Sequence, residues 1–187
     1  IGCGMGQADA TRSLIKGLLC SGQELPSTVV DADGLNSLSR IPSWWESFNT
    51  VAVLTPHPGE MARLTGKPTS EVQADRINIA IDSARLWNKI VVLKGAFTVV
   101  AFPDGRAMLS PFANAGLATA GTGDVLAGAI VGLLSQGLSM GDAAALGVHL
   151  HGLAGEGVRR RLSDIGMVAG DLLPELPLVI KRTRGAE

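Results

Sequence analysis

Short apolar runs alternate with amphipathic segments along the first part of the chain. The apolar runs predict buried strands near residues 28–32, 51–54, 90–93 and 98–102. A further run at 106–109 follows the turn Pro103-Asp104-Gly105, and this pair of runs predicts a hairpin.

The longer segments carry apolar residues at helical spacing. They predict helices near residues 8–20, 61–65, 71–87, 121–136, 141–161 and 171–180. In the first of these helices, Ala10, Leu14, Leu18 and Leu19 lie near one face, which we expect to be the buried face.

Strands that alternate with helices predict an α/β fold with a mostly parallel central sheet flanked by helices. We expect a single domain over residues 1–187. Ligands bind at the carboxyl ends of the strands in such sheets. The candidate residues that follow strands or precede helices are Asp31, Asp33, His57, Glu60, Lys94 and the glycine turn at 121–123. Their shared position predicts that they form one site.

The segment from Asn114 to Gly128 carries the strongest chemical signal. Gly121, Thr122 and Gly123 stand where an apolar helix begins, so their N–H groups and the helix dipole favour an anion. Asp124 follows directly, and a carboxylate beside an anion site is explained if it accepts a proton from an attacking hydroxyl. The segment therefore predicts a site of phosphoryl transfer.

A glycine turn capped by Asp124 is the alternative for this segment, and for a bare Gly-x-Gly-Asp it is the better interpretation. Here small residues run almost unbroken from Ala113 to Gly123, with Leu117 the one bulky side chain. A cap does not need such a long stretch of close backbone approach, so the length favours phosphoryl transfer.

The other candidates are weaker when each is taken alone. Glu60 suits Mg²⁺ coordination, directly or through water, or it caps the next helix. Lys94 binds nucleotide phosphates or simply ends a strand in solvent. The turn Gly2-x-Gly4-x-Gly6 is a ligand loop or a tight turn. His149 and His151 point to different helix faces, which indicates packed or surface roles.

Composition restricts the classes of partner. The chain has 187 residues, 46% of them hydrophobic, and a formal charge of -1, which argues against nucleic acid as a partner. The basic run Arg159-Arg160-Arg161 is interpreted as a solvated helix end. The two cysteines lack Cys-x-x-Cys spacing, and no signal peptide or membrane span is evident, so a reducing, cytoplasmic setting is expected. The apolar helices after Gly121 predict a homo-oligomer.

Taken together, these segments resemble the ADP/ATP-dependent NAD(P)H-hydrate dehydratase family, a branch of the ribokinase-like fold. The matching stretches are Gly2-Cys-Gly-Met-Gly6, Asp31-Ala-Asp33, Leu54-Thr-Pro-His-Pro-Gly-Glu60, Val92-Leu-Lys-Gly-Ala-Phe-Thr98, residues 114–128, His151-Gly-Leu-Ala-Gly155 and Asp171-Leu-Leu-Pro174. Their order and approximate spacing match across nearly the whole chain.

The resemblance implies roles for individual residues. The positions that resemble contacts to the hydrated dinucleotide are Gly4, His57, Asn114 and Asp124. Those that resemble the adenine-nucleotide site are Lys94, Gly95, Ala96, Phe97, Thr98 and Gly123. Glu60 stands in the place of the acidic residue that supports Mg²⁺. Asp124 would be the catalytic base, with Gly121, Thr122 and Gly123 stabilising the transferring group.

The implied reaction repairs NADH or NADPH that is hydrated at carbon 6 of the nicotinamide ring, using ADP or ATP as phosphoryl donor. The hydroxyl is phosphorylated and phosphate is then eliminated. Ala115 stands where the family usually has Pro, a change that loosens the loop. Family domains also carry a further segment before the Gly2 turn, so the domain is expected to be N-terminally incomplete.

Two other functions stay open at the level of the sequence. A ribokinase-like kinase for a vitamin precursor or a sugar would use the same base and release a stable phosphorylated product. A non-catalytic protein would bind the nucleotide without turnover. The sequence does not indicate whether ADP or ATP is the phosphoryl donor, or whether the hydrate of NADH or that of NADPH is the substrate.

Overall fold

The computed structural model describes residues 1–185. The helices are α1 (Asp9–Leu19), α2 (Ala32–Leu38), α3 (Trp44–Ser47), α4 (Pro58–Thr65), α5 (Thr69–Ala74), α6 (Arg76–Trp87), α7 (Thr122–Ser135), α8 (Met140–Leu162) and α9 (Ala169–Thr183), with a 3₁₀-helix at Ala115–Ala118. The strands are β1 (Thr28–Val30), β2 (Ala52–Leu54), β3 (Ile90–Leu93), β4 (Val99–Ala101) and β5 (Ala107–Leu109).

The chain divides into two compact units. The first contains Ile1–Lys94 and Val99–Met108, and the second contains Gly95–Thr98 and the described chain from Leu109 onward. The sheet belongs mainly to the first unit, and α7, α8 and α9 belong to the second. Each unit has its own cluster of buried apolar side chains.

The sheet of the first unit is mixed, with the strands in the order β1-β2-β3-β4-β5. β1 pairs with β2 and β2 with β3 in parallel, whereas β4 runs antiparallel to β3. Every residue of β2, β3 and β4 is buried, as is typical of strands covered on both faces. Only the β1–β3 part therefore has the parallel arrangement that the alternating pattern predicts.

The core of the first unit is rich in aromatic residues. The Trp44 ring lies 5.2 Å from that of Trp87 and 6.4 Å from that of Phe48, measured between centroids. Lys89 is also buried here, with its Nζ donating to Trp87 O at 3.1 Å and lying 5.1 Å from the centre of the Phe48 ring. Burial lowers the pKa of Lys89.

Several elements differ from the sequence prediction. The expected buried face of α1 is largely wrong: Ile15 and Leu19 are buried, whereas Leu14 is 56% exposed and Leu18 37% exposed. Ala10 is exposed as well. The spacing fixes an apolar stripe only broadly, and packing against the rest of the unit selects which edge of it turns inward.

The segment predicted as one helix over 71–87 is two helices. Asp75 separates α5 from α6 with a backbone at φ −139° and ψ 57°, outside the helical region. Its carboxylate accepts a hydrogen bond from Nδ2 of Asn78, in the first turn of α6, at 2.9 Å. The helices α2 and α3 were not predicted. The strand predicted over 28–32 ends at Val30, and the chain turns into α2 at Ala32. α3 has only four residues, too few to show a helical period.

The second unit is mainly helical. Its core contains Leu150, Ala154 and Val158 of α8 together with Leu172 and Val179 of α9. The end of α8 carries the exposed run Arg159-Arg160-Arg161, which confirms the interpretation of a solvated helix end. Within residues 1–185, no helix is both long and apolar enough to cross a lipid bilayer.

Candidate active site

The structure places the candidate residues in two groups, one in each unit. The first unit holds Gly4, Asp31, Asp33, His57, Glu60 and Lys94, and the second holds Gly95, Ala96, Phe97, Thr98, Asn114, Gly121, Thr122, Gly123 and Asp124.

In the first group, one ammonium faces two buried carboxylates at the ends of the parallel strands. Lys94 follows β3, and its Nζ lies 2.7 Å from Asp31 Oδ1 and 3.8 Å from Glu60 Oε2. The side chains of Asp31 and Glu60 are only 2% and 5% exposed. Backbone bonds hold the strand ends together, since Lys94 N donates to Pro56 O at 2.8 Å. The cluster therefore carries more negative than positive charge.

Glu60 and His57 close the start of α4 as a capping box. The N–H of His57 donates to Glu60 Oε2 at 2.8 Å, and His57 Nδ1 accepts from Gly59 N at 3.0 Å. The capping role weighed for Glu60 is thus confirmed, and it occupies one of the two carboxylate oxygens. Burial lowers the pKa of His57, and Lys94 and Arg63 act in the same direction, against Glu60 and Asp31.

The glycine turn at the start of the chain packs on the end of β1. A side chain at Gly2, where φ is +126°, would place its Cβ 1.8 Å from Asp31 O. Gly6 N donates to Asp33 Oδ2 at 2.8 Å, so Asp33 holds the far end of the turn. At Gly4 a Cβ would meet nothing within 4 Å, which leaves open space at this predicted substrate contact.

The second group is built around the turn that starts α7. Gly121 adopts φ 85°, and Asp124 lies exposed in the first helical turn. Thr122 is 3% exposed, and its hydroxyl faces Leu117 O at 2.6 Å and Thr119 O at 2.8 Å. The hydroxyl therefore anchors the turn from inside. Among the described residues, no capping box closes the start of α7, in contrast to α4.

Asn114 shapes the loop before this turn. Its Oδ1 accepts from Gly116 N at 2.9 Å and so caps the 3₁₀-helix. Its Nδ2 is buried, and within the described chain it has no hydrogen-bond partner.

The predicted nucleotide segment is tied to the same unit. Phe97 N donates to Phe112 O at 2.8 Å, and Ser110 N donates to Thr98 O at 2.9 Å. The ring of Phe97 is exposed, and its backbone has φ 53°, in the left-handed region that few side chains adopt. In the first unit, Arg76 Nη2 donates to the carbonyls of Leu93 and Lys94 at 3.0 and 3.2 Å and fixes the end of β3.

The sequence interpretation did not identify His151 as a functional candidate. His151 on α8 is 8% exposed, and its Nε2 lies 2.9 Å from Thr122 O at the start of α7. The packed role expected for one of the two histidines is confirmed here, whereas His149 is exposed. The sequence marked His151 only as the first residue of the matching stretch His151-Gly-Leu-Ala-Gly155, and it gave no sign of the contact with Thr122, because that contact joins residues far apart in the chain.

Comparison with known proteins decides the family. The sequence profile of the NAD(P)H-hydrate dehydratase family matches residues 1–178, which includes residues of both units. The chain belongs to this family. The resemblance seen in the motifs is therefore confirmed.

Individual relatives agree with this assignment. A bifunctional NAD(P)H-hydrate repair enzyme of Moorella thermoacetica is 49% identical over 181 residues, covering 97% of this chain and 34% of the relative. An ADP-dependent (S)-NAD(P)H-hydrate dehydratase of Neisseria meningitidis is 40% identical over 180 residues, covering 93% of this chain and 60% of the relative. The chain thus spans about a third of the first relative and three fifths of the second.

The fold agrees with a solved member of the family. The ADP/ATP-dependent NAD(P)H-hydrate dehydratase of Bacillus subtilis, co-crystallised with ATP and Mg²⁺, matches with a TM-score of 0.84 and 36% identity. The match covers 97% of this chain and 63% of the Bacillus chain. The α/β fold is ribokinase-like, as the motifs implied.

Proposed function

We propose that the protein dehydrates hydrated NADH or NADPH back to the reduced cofactor, with ADP or ATP as phosphoryl donor. The observation that carries this proposal is the family match over residues 1–178. The start of α7 supports it, because an exposed carboxylate, Asp124, stands in the first turn of a helix that begins with small residues.

Asp124 acts as the base in the proposed first step. The carboxylate accepts the proton of the hydroxyl at carbon 6 while the hydroxyl oxygen attacks the terminal phosphoryl group of the nucleotide. The bond to the leaving nucleotide breaks as the new phosphorus–oxygen bond forms. The first-turn N–H groups of a helix lack intrahelical acceptors, so those near Gly123 stabilise charge on the transferring group.

The second step is elimination. Phosphate leaves carbon 6 of the phosphorylated hydrate, a proton leaves the neighbouring ring carbon, and the ring double bond is restored. Asn114, whose side chain caps the 3₁₀-helix at the start of this segment, remains a proposed substrate contact. Gly4 and His57 remain proposed substrate contacts in the first unit.

The proposed nucleotide contacts are Gly95, Ala96, Phe97, Thr98 and Gly123. The exposed ring of Phe97 is suited to stack on the adenine, an interaction that contributes on the order of 1–3 kcal/mol for a base on an aromatic side chain. Lys94 would have to exchange its carboxylate partners for a phosphate to act in this site.

Glu60 and the adjacent Asp31 fit a magnesium ion by their chemistry. Mg²⁺ prefers carboxylate oxygens together with phosphate oxygens and water, and the two carboxylates exceed the single ammonium of Lys94 in charge. When bound, the ion would neutralise charge on the nucleotide phosphates. We propose Glu60 as its ligand, directly or through water.

We also propose a cytoplasmic location and a homo-oligomeric assembly. Cys3 and Cys20 lack Cys-x-x-Cys spacing, which favours a reducing, cytoplasmic setting. The second unit exposes several large apolar side chains, which favours a homo-oligomer. The formal charge of -1 favours small-molecule partners over nucleic acid.

The decisive experiment uses the full-length protein with each hydrate, each nucleotide and Mg²⁺. Recovery of dihydronicotinamide absorbance together with release of inorganic phosphate is the expected result. A stable phosphorylated product from a vitamin precursor or sugar would favour a kinase instead. Nucleotide binding without turnover of any of these substrates would favour a non-catalytic protein.

A further inference from the structure

One face of α8 supports the loop that leads into α7. A Cβ on Gly152 would lie 2.1 Å from Cδ2 of Phe112, and a Cβ on Gly155 would lie 2.9 Å from the side chain of Leu117. Real Cβ atoms do not approach other atoms so closely, so both glycines allow the loop to rest directly on the helix. The loop is thus packed against α8 before and within the 3₁₀-helix.

The other side of the loop is closely packed as well. A Cβ on Gly116 would lie 3.0 Å from both Asp164 O and Sδ of Met167. The hydroxyl of Thr122 binds back to Leu117 O and Thr119 O inside the loop. These contacts hold residues 112–122 in a defined path, and the start of α7 is the end point of that path.

His151 lies on the same face of α8 and reaches that end point. Its Nε2 is 2.9 Å from Thr122 O. A carbonyl oxygen only accepts hydrogen bonds, so Nε2 must carry the hydrogen in this contact. Thr122 stands two positions before Asp124, and the backbone at Thr122 sets the direction in which the first turn of α7 presents that carboxylate.

We propose that His151 is a positioning residue, which fixes the start of α7 through Thr122 O and so aims the carboxylate of Asp124. This inference rests on the proposed function, in which Asp124 is the base. Its effect belongs to the chemical step, because a displacement of about 1 Å in a reacting group can cost about 10²-fold in rate. Nucleotide affinity depends on other contacts and should change little.

Two amide substitutions test the hydrogen bond. The amide nitrogen of Gln is separated from Cβ by as many bonds as Nε2 of His, whereas that of Asn is one bond shorter. In the full-length protein we expect His151→Asn to lower kcat by about 10- to 100-fold with the nucleotide KM within about twofold. His151→Gln should keep kcat within about threefold, and Arg160→Gln, at an exposed position on the same helix, should match the parent.

The result separates positioning from general packing. Equal kcat in His151→Asn and the parent would overturn the proposal, as would equal losses in the Asn and Gln variants, because donor reach would then not matter. Thermal unfolding of both variants shows whether a loss reflects folding. If Asn does not fold, His151→Met, which keeps the bulk without a donor, takes its place and should show the same loss of kcat relative to Gln.

A readout that is independent of turnover covers the case in which the proposed function fails. If the parent converts neither hydrate with any nucleotide, amide hydrogen exchange at Val125 and Leu126 still reports the start of α7, because Val125 N donates to Gly121 O there. Faster exchange in His151→Asn than in His151→Gln supports the positioning role. Unchanged exchange in both variants would overturn it.

Discussion

At the scale of single residues, Asp124 and Glu60 show how similar carboxylates acquire different surroundings. Both stand in the first turn of a helix, α7 and α4 respectively. Glu60 is buried and bound to the N–H of His57, whereas Asp124 is exposed. A carboxylate held in a capping box is suited to stabilise the start of its helix and to attract a cation. An exposed carboxylate at a helix N-terminus is suited to accept a proton from a substrate.

Replacement of Asp124 tests its proposed role as base. Asp124→Asn keeps the shape and removes the proton acceptor, so turnover should fall about 10²–10⁴-fold. The unfolding free energy should fall by only about 0.3–1 kcal/mol, because an exposed carboxylate in the first turn interacts weakly with the helix dipole. The measurement is recovery of dihydronicotinamide absorbance from the hydrate, beside unfolding curves. Near-normal turnover would show that the carboxylate has only a structural role.

His57 should make stability depend on pH. Burial lowers its pKa below the ordinary value of 6.5, so the unfolded chain binds the proton more readily than the folded one. The neutral side chain therefore stabilises the fold above pH 6.5, and this contribution is lost as the pH falls below that value toward the lowered pKa. Urea unfolding from pH 8 to pH 5 measures the slope.

The control for that slope is His57→Asn. Asn remains a good N-cap acceptor but does not titrate, so the part of the pH dependence due to His57 should disappear while the helix α4 is kept. An identical slope in parent and variant would assign the pH dependence to other groups.

At the scale of elements, Lys94 joins the ends of three parts of the chain, β1, β3 and α4. Lys94→Met would leave Asp31 and Glu60 buried with like charge and no ammonium. Breaking such a pair costs up to about 3–5 kcal/mol, less here because Lys94 is partly exposed. We expect a lower Tm that Mg²⁺ raises more in the variant than in the parent. Equal Mg²⁺ effects would show that the carboxylates do not take the ion.

The close contact of α8 with the loop is tested by paired alanine substitutions in two helices. Gly152→Ala forces a Cβ into the ring of Phe112 and should cost about 1–3 kcal/mol of unfolding free energy. Gly128→Ala in α7 meets nothing within 4 Å and should instead stabilise by about 0.5–1 kcal/mol. Chemical denaturation compares the two. Equal unfolding free energies for the two variants would mean that the loop moves away from the new Cβ without loss of stability.

At the scale of the whole molecule, the exposed apolar residues of the second unit predict self-association. Ile165 is 88% exposed, and Leu173 and Leu178 are 58% and 53% exposed. Light scattering of the full-length protein should give a multiple of the subunit mass, and Ile165→Lys should weaken the assembly if this residue lies in the interface. A monomer at every concentration would contradict the prediction.

The sequence by itself determined the class of fold and most elements, because strand and helix periodicity are local. β3 at Ile90–Leu93 matches its predicted bounds, and α7 and α8 begin and end within two residues of theirs. The motifs also identified the family, because a motif such as the glycine segment or the Pro-His-Pro-Gly-Glu turn is a run of consecutive residues that can be read directly from the sequence.

Only the tertiary structure decided what depends on contacts between distant residues. It turned Ile15 inward in place of Leu14, made β4 antiparallel and paired Lys94 with Asp31, which lies 63 positions away. It also placed His151 against Thr122 O across 29 positions. Periodicity constrains a side chain relative to its own helix or strand, whereas these arrangements depend on which surfaces pack together, and no local pattern encodes that.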